Sequence, residues 1–318
     1  MDDAVLQALE GVIISHYQIQ QRLAHGGMSD IYLARDTQTE QIVAIKLVER
    51  RNDVHYECIQ REVQALRALT HENVLPVLEY GEHGPWCYMV IPYIEYGTLG
   101  KRLTQGPLAV KEAGKVLEQL ASVLQFAHDQ GILHRDIKPA NILLGNGQQV
   151  YLIDFGLVQQ QGEKRRLIQT SLLIGTPHYM APELVEGPAT IRSDVYALGV
   201  VLYQMLIGSV PFTGDSPLAI FWKHREELLE PPSSLHPALA RAVERVLLQA
   251  LEKKPQDRFQ TARDLAEAYQ RALKVGETTP LPEEVRRSPR RKFSLYLGLM
   301  RFIQRMNVIS GYQPKLWL

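Results

Sequence analysis

The sequence predicts an α+β fold in which a small antiparallel sheet precedes a larger helical region. Residues 17–49 fall into short runs, YQIQQRLA, DIYLARD and QIVAIKLVE, with the alternation that half-buried strands require. From residue 107 onward the apolar period lengthens to that of a helix, with Val116, Leu117, Leu120, Val123, Leu124 and Ala127 recurring at helical spacing. Residues 193–207, SDVYALGVVLYQMLI, are apolar on nearly every face, as a helix at the centre of a core should be. At 318 residues and 45% hydrophobic content the chain can bury one large two-lobed core or two domains.

Taken in order, the three N-terminal runs read as a three-stranded antiparallel sheet. Their first turn is Ala24-His25-Gly26-Gly27-Met28-Ser29, which taken alone reads as an ordinary hairpin turn. Lys46 closes the run VAIK, its stem inside and its ammonium at the end of an apolar strand. The helix expected over about 55–70 offers Glu62 as its partner, with Val63, Leu66 and Leu69 marking the buried face; Glu57 is the competing carboxylate. Residues 88–94, YMVIPYI, read as a buried strand interrupted by Pro92, which has no N–H to give a ladder.

The helix after residue 107 ends near Gly131, a residue suited to a helix terminus. There follow HRDIKPANILL, LIDFGL and GTPHYMAPE. Asp136 and Asn141 stand five residues apart across a Lys-Pro turn, and Asp154 closes an apolar run, so a strand-loop-strand brings an amide and two carboxylates to one cleft. Asn141 and Asp154 are hard oxygen donors of the kind Mg²⁺ takes beside a substrate's phosphates, and Asp136 is left to orient a hydroxyl. Two more helices are expected over 237–253 and 261–273, the second opened by Thr261 with Asp264 three residues on.

The order of these motifs resembles the catalytic core of eukaryotic-type (Hanks-type) protein kinases, in their bacterial Ser/Thr group, over residues 17–273. The resemblance implies a bilobal fold, with a β-rich N-lobe to about residue 91 and a helical C-lobe from about 95 to 273. It implies that Ala24, Gly26, Gly27 and Ser29 form the loop over the ATP phosphates, with Ala24 and Ser29 standing where the family carries glycine. Lys46, paired with Glu62, would hold the α- and β-phosphates. Ile31, Ala44 and Leu143 would sandwich the adenine beside Ile91, with the Pro92 carbonyl and the Ile94 N–H reading its edge. Asn141 and Asp154 would hold Mg²⁺ or Mn²⁺, Asp136 would orient the acceptor, and Lys138 would steady the transferred group. HRDIKPAN and Thr176 match the Ser/Thr class, so the expected partners are ATP and a protein bearing a Ser or Thr acceptor. Asp194 is expected to accept from the catalytic-loop backbone, to face its own helix dipole, or both. Glu183 is expected to pair with Arg258. Arg135 implies an activation segment ordered by phosphate, with Thr170 and Ser171 as acceptors; Lys164-Arg165-Arg166 reads as a solvated loop. The contending class is a nucleotide-binding scaffold without turnover, which retention of Lys46, Asp136, Asn141 and Asp154 opposes and Ala24 alone favours.

Composition adds bounds. Lys and Arg equal Asp and Glu at 35 each, but residues 276–318 hold eight basic and three acidic residues, which leaves 27 against 32 before them. Cys58 and Cys87 have no metal-ligand spacing and read as reduced thiols. The acidic start MDDAVLQALEGVIISHY is unlike a secretory signal, and no window reaches about 18 apolar residues, so a cytoplasmic protein is expected. Residues 1–16 are an N-terminal extension and 274–292 a linker ending in the basic run RRSPRRK. In 293–318, Phe293, Leu297, Met300 and Ile303 form an apolar stripe beside Arg301 and Arg305, fit to dock on the C-lobe, on a partner such as a second copy, or on an anionic membrane surface. No repeat, sensor domain or nucleic-acid-binding signature is present.

Overall fold

The computed structural model describes residues 9–25, 29–50, 53–155 and 177–275. Strand propensity and alternation at the N-terminus produce one six-stranded sheet, all antiparallel, in the order β1 (Ile13–Ile14), β2 (Tyr17–His25), β3 (Asp30–Asp36), β4 (Ile42–Glu49), β6 (Trp86–Pro92), β5 (Glu79–His83). The sheet is larger than the sequence suggested. β1 lies in the stretch read as an extension, and β5, EYGEH, carries no apolar alternation that would announce it. β6 stops at Pro92, so Tyr93 and Ile94 lie beyond the strand; proline belongs at such an end.

The period of two divides the sheet into faces. Ile14, Tyr17, Ile19, Tyr32, Ala34, Val43, Ile45, Leu47, Tyr88 and Val90 form one buried cluster on the outer face. Val48, Cys87 and Met89 belong to the other core, together with Ile59, Val63 and Leu66 of α1 (Asp53–Ala68). That second core is continuous with the helical lobe, so α1 couples the sheet to the rest of the molecule.

The helical lobe contains α2 (Leu99–Leu103), α3 (Val110–Asp129), the hairpin β7 (Ile142–Leu144) and β8 (Val150–Leu152), then α4 (Ile191–Ile207), α5 (Pro217–Glu226), α6 (Pro232–Leu235), α7 (Arg241–Ala250) and α8 (Ala262–Val275). α4 is opened by a reciprocal cap, in which Thr190 N–H donates to Ser193 Oγ and the Thr190 hydroxyl lies at the Ser193 backbone. It is central because Gly199 lets α7 approach closely: a Cβ there would come within 2.9 Å of the Ala250 methyl. The helix expected to begin at 237 starts only at Arg241, after the turn through Pro237, and α5 carries no amphipathic pattern that would have marked it.

Candidate active site

Lys46 stands on β4 opposite Ile31 of β3 and Met89 of β6. Its ammonium reaches Glu62 Oε2 at 2.6 Å and Asp154 Oδ1 at 2.9 Å, joining β4, α1 and the segment after β8 at one point. Burial alone would lower the Lys46 pKa, but Asp154 and Glu62 outweigh it and the net shift is upward. Burial pushes the Glu62 carboxyl up despite the lysine beside it, whereas Lys46 pulls Asp154 below the usual carboxylate range. Asp154 is therefore the firmer anion of the two. Glu57, the competing carboxylate, is exposed and paired to Arg61 one turn along its own helix.

The loop from His134 to Asn141 is held from beneath by Asp194, in the first turn of α4. Asp194 Oδ1 accepts from Arg135 N–H at 2.9 Å, and Oδ2 accepts from His134 N–H at 2.9 Å, with His128 Nε2 of α3 at 2.8 Å from the same oxygen. Burial would raise this carboxyl, but the His128 bond and the other donors bring it net below its ordinary value. These bonds over-determine a strained backbone at Arg135, whose φ of +67° lies in the left-handed region that non-glycine residues avoid; Asp154, at φ +68°, is in the same region. His134 Nδ1 accepts from Asp136 N–H at 3.3 Å while Nε2 lies 3.0 Å from the Ile153 carbonyl, which selects the Nε2–H tautomer. Burial lowers its pKa and keeps it neutral. Its ring meets Phe155 edge-on, with centroids 4.6 Å apart.

Inside the loop, Asp136 Oδ2 accepts from Lys138 Nζ at 2.6 Å and from Asn141 Nδ2 at 2.9 Å; Asn141 Nδ2 also reaches the Asp136 carbonyl at 2.8 Å. Asp136 Oδ1 has no partner among the described residues. Because Asn141 spends its NH₂ on Asp136, its side-chain oxygen is the atom left for a cation. Ile153 N–H donates to the Asn141 carbonyl at 3.0 Å and ties the segment bearing Asp154 to this loop. The donors so assembled are a carboxylate and an amide oxygen, the set suited to a hard divalent metal.

An apolar group sits next to these charges. Ala44 is the cross-strand partner of Ile91, Ile31 is that of Lys46, and Leu143 pairs with Tyr151 and bridges to Thr98. Ile31, Ile91 and Leu143 are only half-buried, as residues facing an open cleft would be. Ala24 pairs with Ile31 and has no positive φ, so alanine stands in the glycine position without backbone strain. Gly26, Gly27, Thr170, Ser171, Thr176 and the Lys164–Arg166 run lie outside the described residues, and so does 293–318. Ser29 is described but belongs to no strand. Glu183 lies across from Arg258 with both terminal guanidinium nitrogens engaged.

His128 escaped the sequence reading. Its signal was weak but present, a histidine next to Ala127 on the apolar face of α3. Ser193 also escaped: its hydroxyl donates to Glu183 Oε1 at 2.8 Å while serving the α4 cap.

A two-lobed α+β fold thus gathers a lysine, carboxylates and an amide where sheet meets helices. Residues 17–270 match the family model described as protein kinase domain, and the chain belongs to that family. It is 38% identical over 259 residues to serine/threonine-protein kinase PknB of Mycobacterium tuberculosis, covering 78% of this chain and 41% of that protein. It is 36% identical over 258 residues to serine/threonine-protein kinase PrkC of Bacillus subtilis, covering 80% of this chain and 40% of that protein. Serine/threonine-protein kinase PknE of M. tuberculosis is 35% identical over 291 residues, 90% of this chain and 51% of PknE. The chain thus spans about two fifths to one half of the curated relatives it matches.

Proposed function

We propose that this protein is an ATP-dependent serine/threonine kinase that moves the γ-phosphoryl group of ATP to a protein hydroxyl. The observation that carries the reading is the Lys46 ammonium held between Glu62 and Asp154 beside a loop in which Asp136, Lys138 and Asn141 are mutually bonded. Phosphoryl transfer needs little covalent chemistry from a protein; it needs position and charge. Lys46, kept rigid by Glu62, binds the α- and β-phosphates. Asp136 accepts a hydrogen bond from the attacking Ser or Thr hydroxyl and receives its proton, and Lys138, 2.6 Å from Asp136, neutralises charge on the group in transit. Asp154 and the Asn141 oxygen would hold the divalent metal, Mg²⁺ or Mn²⁺, which neutralises phosphate charge when bound. Ile31, Ala44, Ile91 and Leu143 enclose the base, and the Pro92 carbonyl needs no N–H to accept from it.

The Ser/Thr class is supported by Lys138 two residues after Asp136 and by the names of the relatives. Thr170 and Ser171 are the acceptors through which phosphate would order the activation segment, with Arg135 as their cation. Two free thiols, Cys58 half-buried and Cys87 buried, support a cytoplasmic location for the domain, and no described helix is long and apolar enough to cross a membrane. Residues 293–318 would dock on the helical lobe or on a second copy, with an anionic membrane as the competing surface.

The test is incubation with γ-labelled ATP, Mg²⁺ and a generic basic protein substrate, beside an Asp136→Asn control. Label on Ser and Thr that the control loses is the expected result; a folded wild type that binds nucleotide but transfers nothing overturns the reading in favour of a scaffold.

A further inference from the structure

The two carboxylates that hold Lys46 come from different elements. Glu62 stands on α1 and Asp154 follows β8, yet each reaches the same ammonium. Their separation therefore depends on how the C-terminal end of α1 is fixed relative to β8. The connection between α1 and β5 supplies a contact there that the mechanism leaves aside. Asn73, within it, is fully buried. Its Nδ2 donates to the Val150 carbonyl at 2.8 Å and to Gln119 Oε1 of α3 at 3.0 Å, and its own carbonyl accepts from Leu152 N–H at 2.9 Å. Side chain and backbone of one residue thus hold the first and last residues of β8, and Asp154 stands two residues beyond.

The amide has one way to face. Gln119 Oε1 accepts from Val150 N–H at 3.0 Å while Gln119 Nε2 donates to the Gln148 carbonyl at 2.9 Å, so it is an oxygen that Gln119 turns to Asn73. The group of Asn73 that meets this oxygen and the Val150 carbonyl is then the NH₂. His71 fixes the turn on the α1 side: its Nδ1 accepts from Asn73 N–H at 3.0 Å, and its Nε2 lies 3.0 Å from Ser122 Oγ of α3. Leu69 N–H bonds to the Ala65 carbonyl, which carries helical bonding from α1 into the connection. Asn73 Oδ1, by contrast, has no partner among the described residues. A buried amide left half satisfied is a poor choice for stability alone, and the bonds it does make join the carriers of both carboxylates.

We propose that Asn73 is a positioning residue for phosphoryl transfer: by tying the end of α1 to β8 it sets the spacing of Glu62 and Asp154, and with it the place of the Lys46 ammonium. This rests on the kinase reading above, and the experiment separates the two.

The full chain is compared as wild type, Asn73→Leu, Gln119→Leu, Glu62→Ala and the doubles that combine Glu62→Ala with each of the first two. Turnover, Mg²⁺·AMP-PNP affinity and the urea midpoint are measured for each. Asn73→Leu and Gln119→Leu are each expected to lower kcat by about tenfold and to weaken AMP-PNP binding by about threefold, with the KM for the protein acceptor within about twofold. Once Glu62→Ala has removed the clamp, adding either substitution should change kcat and AMP-PNP affinity by less than about twofold, while the losses in urea midpoint add. A merely structural role would lower the midpoint without this non-additive pattern. Turnover and AMP-PNP affinity near wild type in both folded single variants overturn the proposal, as does an undiminished loss in the Glu62→Ala background. If Asn73→Leu does not fold, Gln119→Leu and its double decide by the same criteria. A wild type that transfers no phosphate removes the kinase reading itself and the proposal with it.

Discussion

Arg258 donates in parallel to both carboxylate oxygens of Glu183, at 2.9 and 2.8 Å, across 75 residues of chain. The remaining donors are also used: Nε reaches the Glu252 carbonyl, Nη1 that of Arg192 and Nη2 that of Lys253. All five N–H groups of a guanidinium that is itself buried are satisfied. Arg258→Met would leave Glu183 without its cation and several carbonyls without donors. Loss of about 3 kcal/mol or more is expected, read as a lowered denaturant midpoint, and Arg258→Lys should recover little because it lacks the planar fork. A midpoint for Arg258→Met close to wild type would contradict this account.

Lys46→Met and Asp154→Asn each remove a charge from the phosphate end of the cleft. Turnover should fall by at least about two orders of magnitude in either variant, with circular dichroism unchanged. Near-normal phosphate transfer by either folded protein would refute the assignment.

Asp194→Asn tests the strained loop. The amide keeps one accepting oxygen but turns an NH₂ toward one of the two backbone N–H donors, so the set of bonds that keeps Arg135 at positive φ is weakened. Expected are a stability loss of about 2 kcal/mol and a fall in kcat larger than any change in nucleotide affinity. An unchanged kcat would show that the loop holds its shape without this carboxylate.

His224 supplies a pH dependence. It is buried, its Nδ1 lies 2.8 Å from the Tyr196 hydroxyl, and desolvation, aided by Lys253 and His178, lowers its pKa to about 3. The unfolded chain holds the proton up to about pH 6.5 and the folded one does not, so the native state loses stability as pH falls from 6.5 toward 3. The contribution is on the order of 3 kcal/mol by about pH 4. Urea midpoints between pH 7 and 4 should fall more steeply for wild type than for His224→Gln; parallel lines would exclude this group as the cause.

Phosphate on Thr170 or Ser171 is expected in freshly expressed protein and absent from Asp136→Asn, as mass spectrometry would show. If Thr170→Ala with Ser171→Ala leaves the kinetics untouched, the regulatory assignment fails.

The motif residues were legible because each role is fixed by residue type at short spacing. Asp136, Lys138 and Asn141 lie within one turn-loop, and their bonding follows from that proximity. Glu62 could be preferred to Glu57 because helical periodicity puts it with Val63 and Leu66, the residues that meet the sheet. β5 and α5 were not legible: neither has an apolar period of its own, and each exists because a neighbouring element completes its hydrogen bonds or covers one side.

By itself the sequence determined the α+β class, the strand and helix order around the motifs and the residue types of the site, since alternation, helical period and short motifs are local properties. Tertiary structure alone decided which other distant groups meet: His128 on Asp194, the three backbone carbonyls taken by Arg258, Asp154 on Lys46 and the register that sets His25 against Asp30. Such contacts depend on how sheet and helices pack and on where buried charges find partners, and a polar group taken from water is stabilised only by the particular donor or acceptor the fold brings to it.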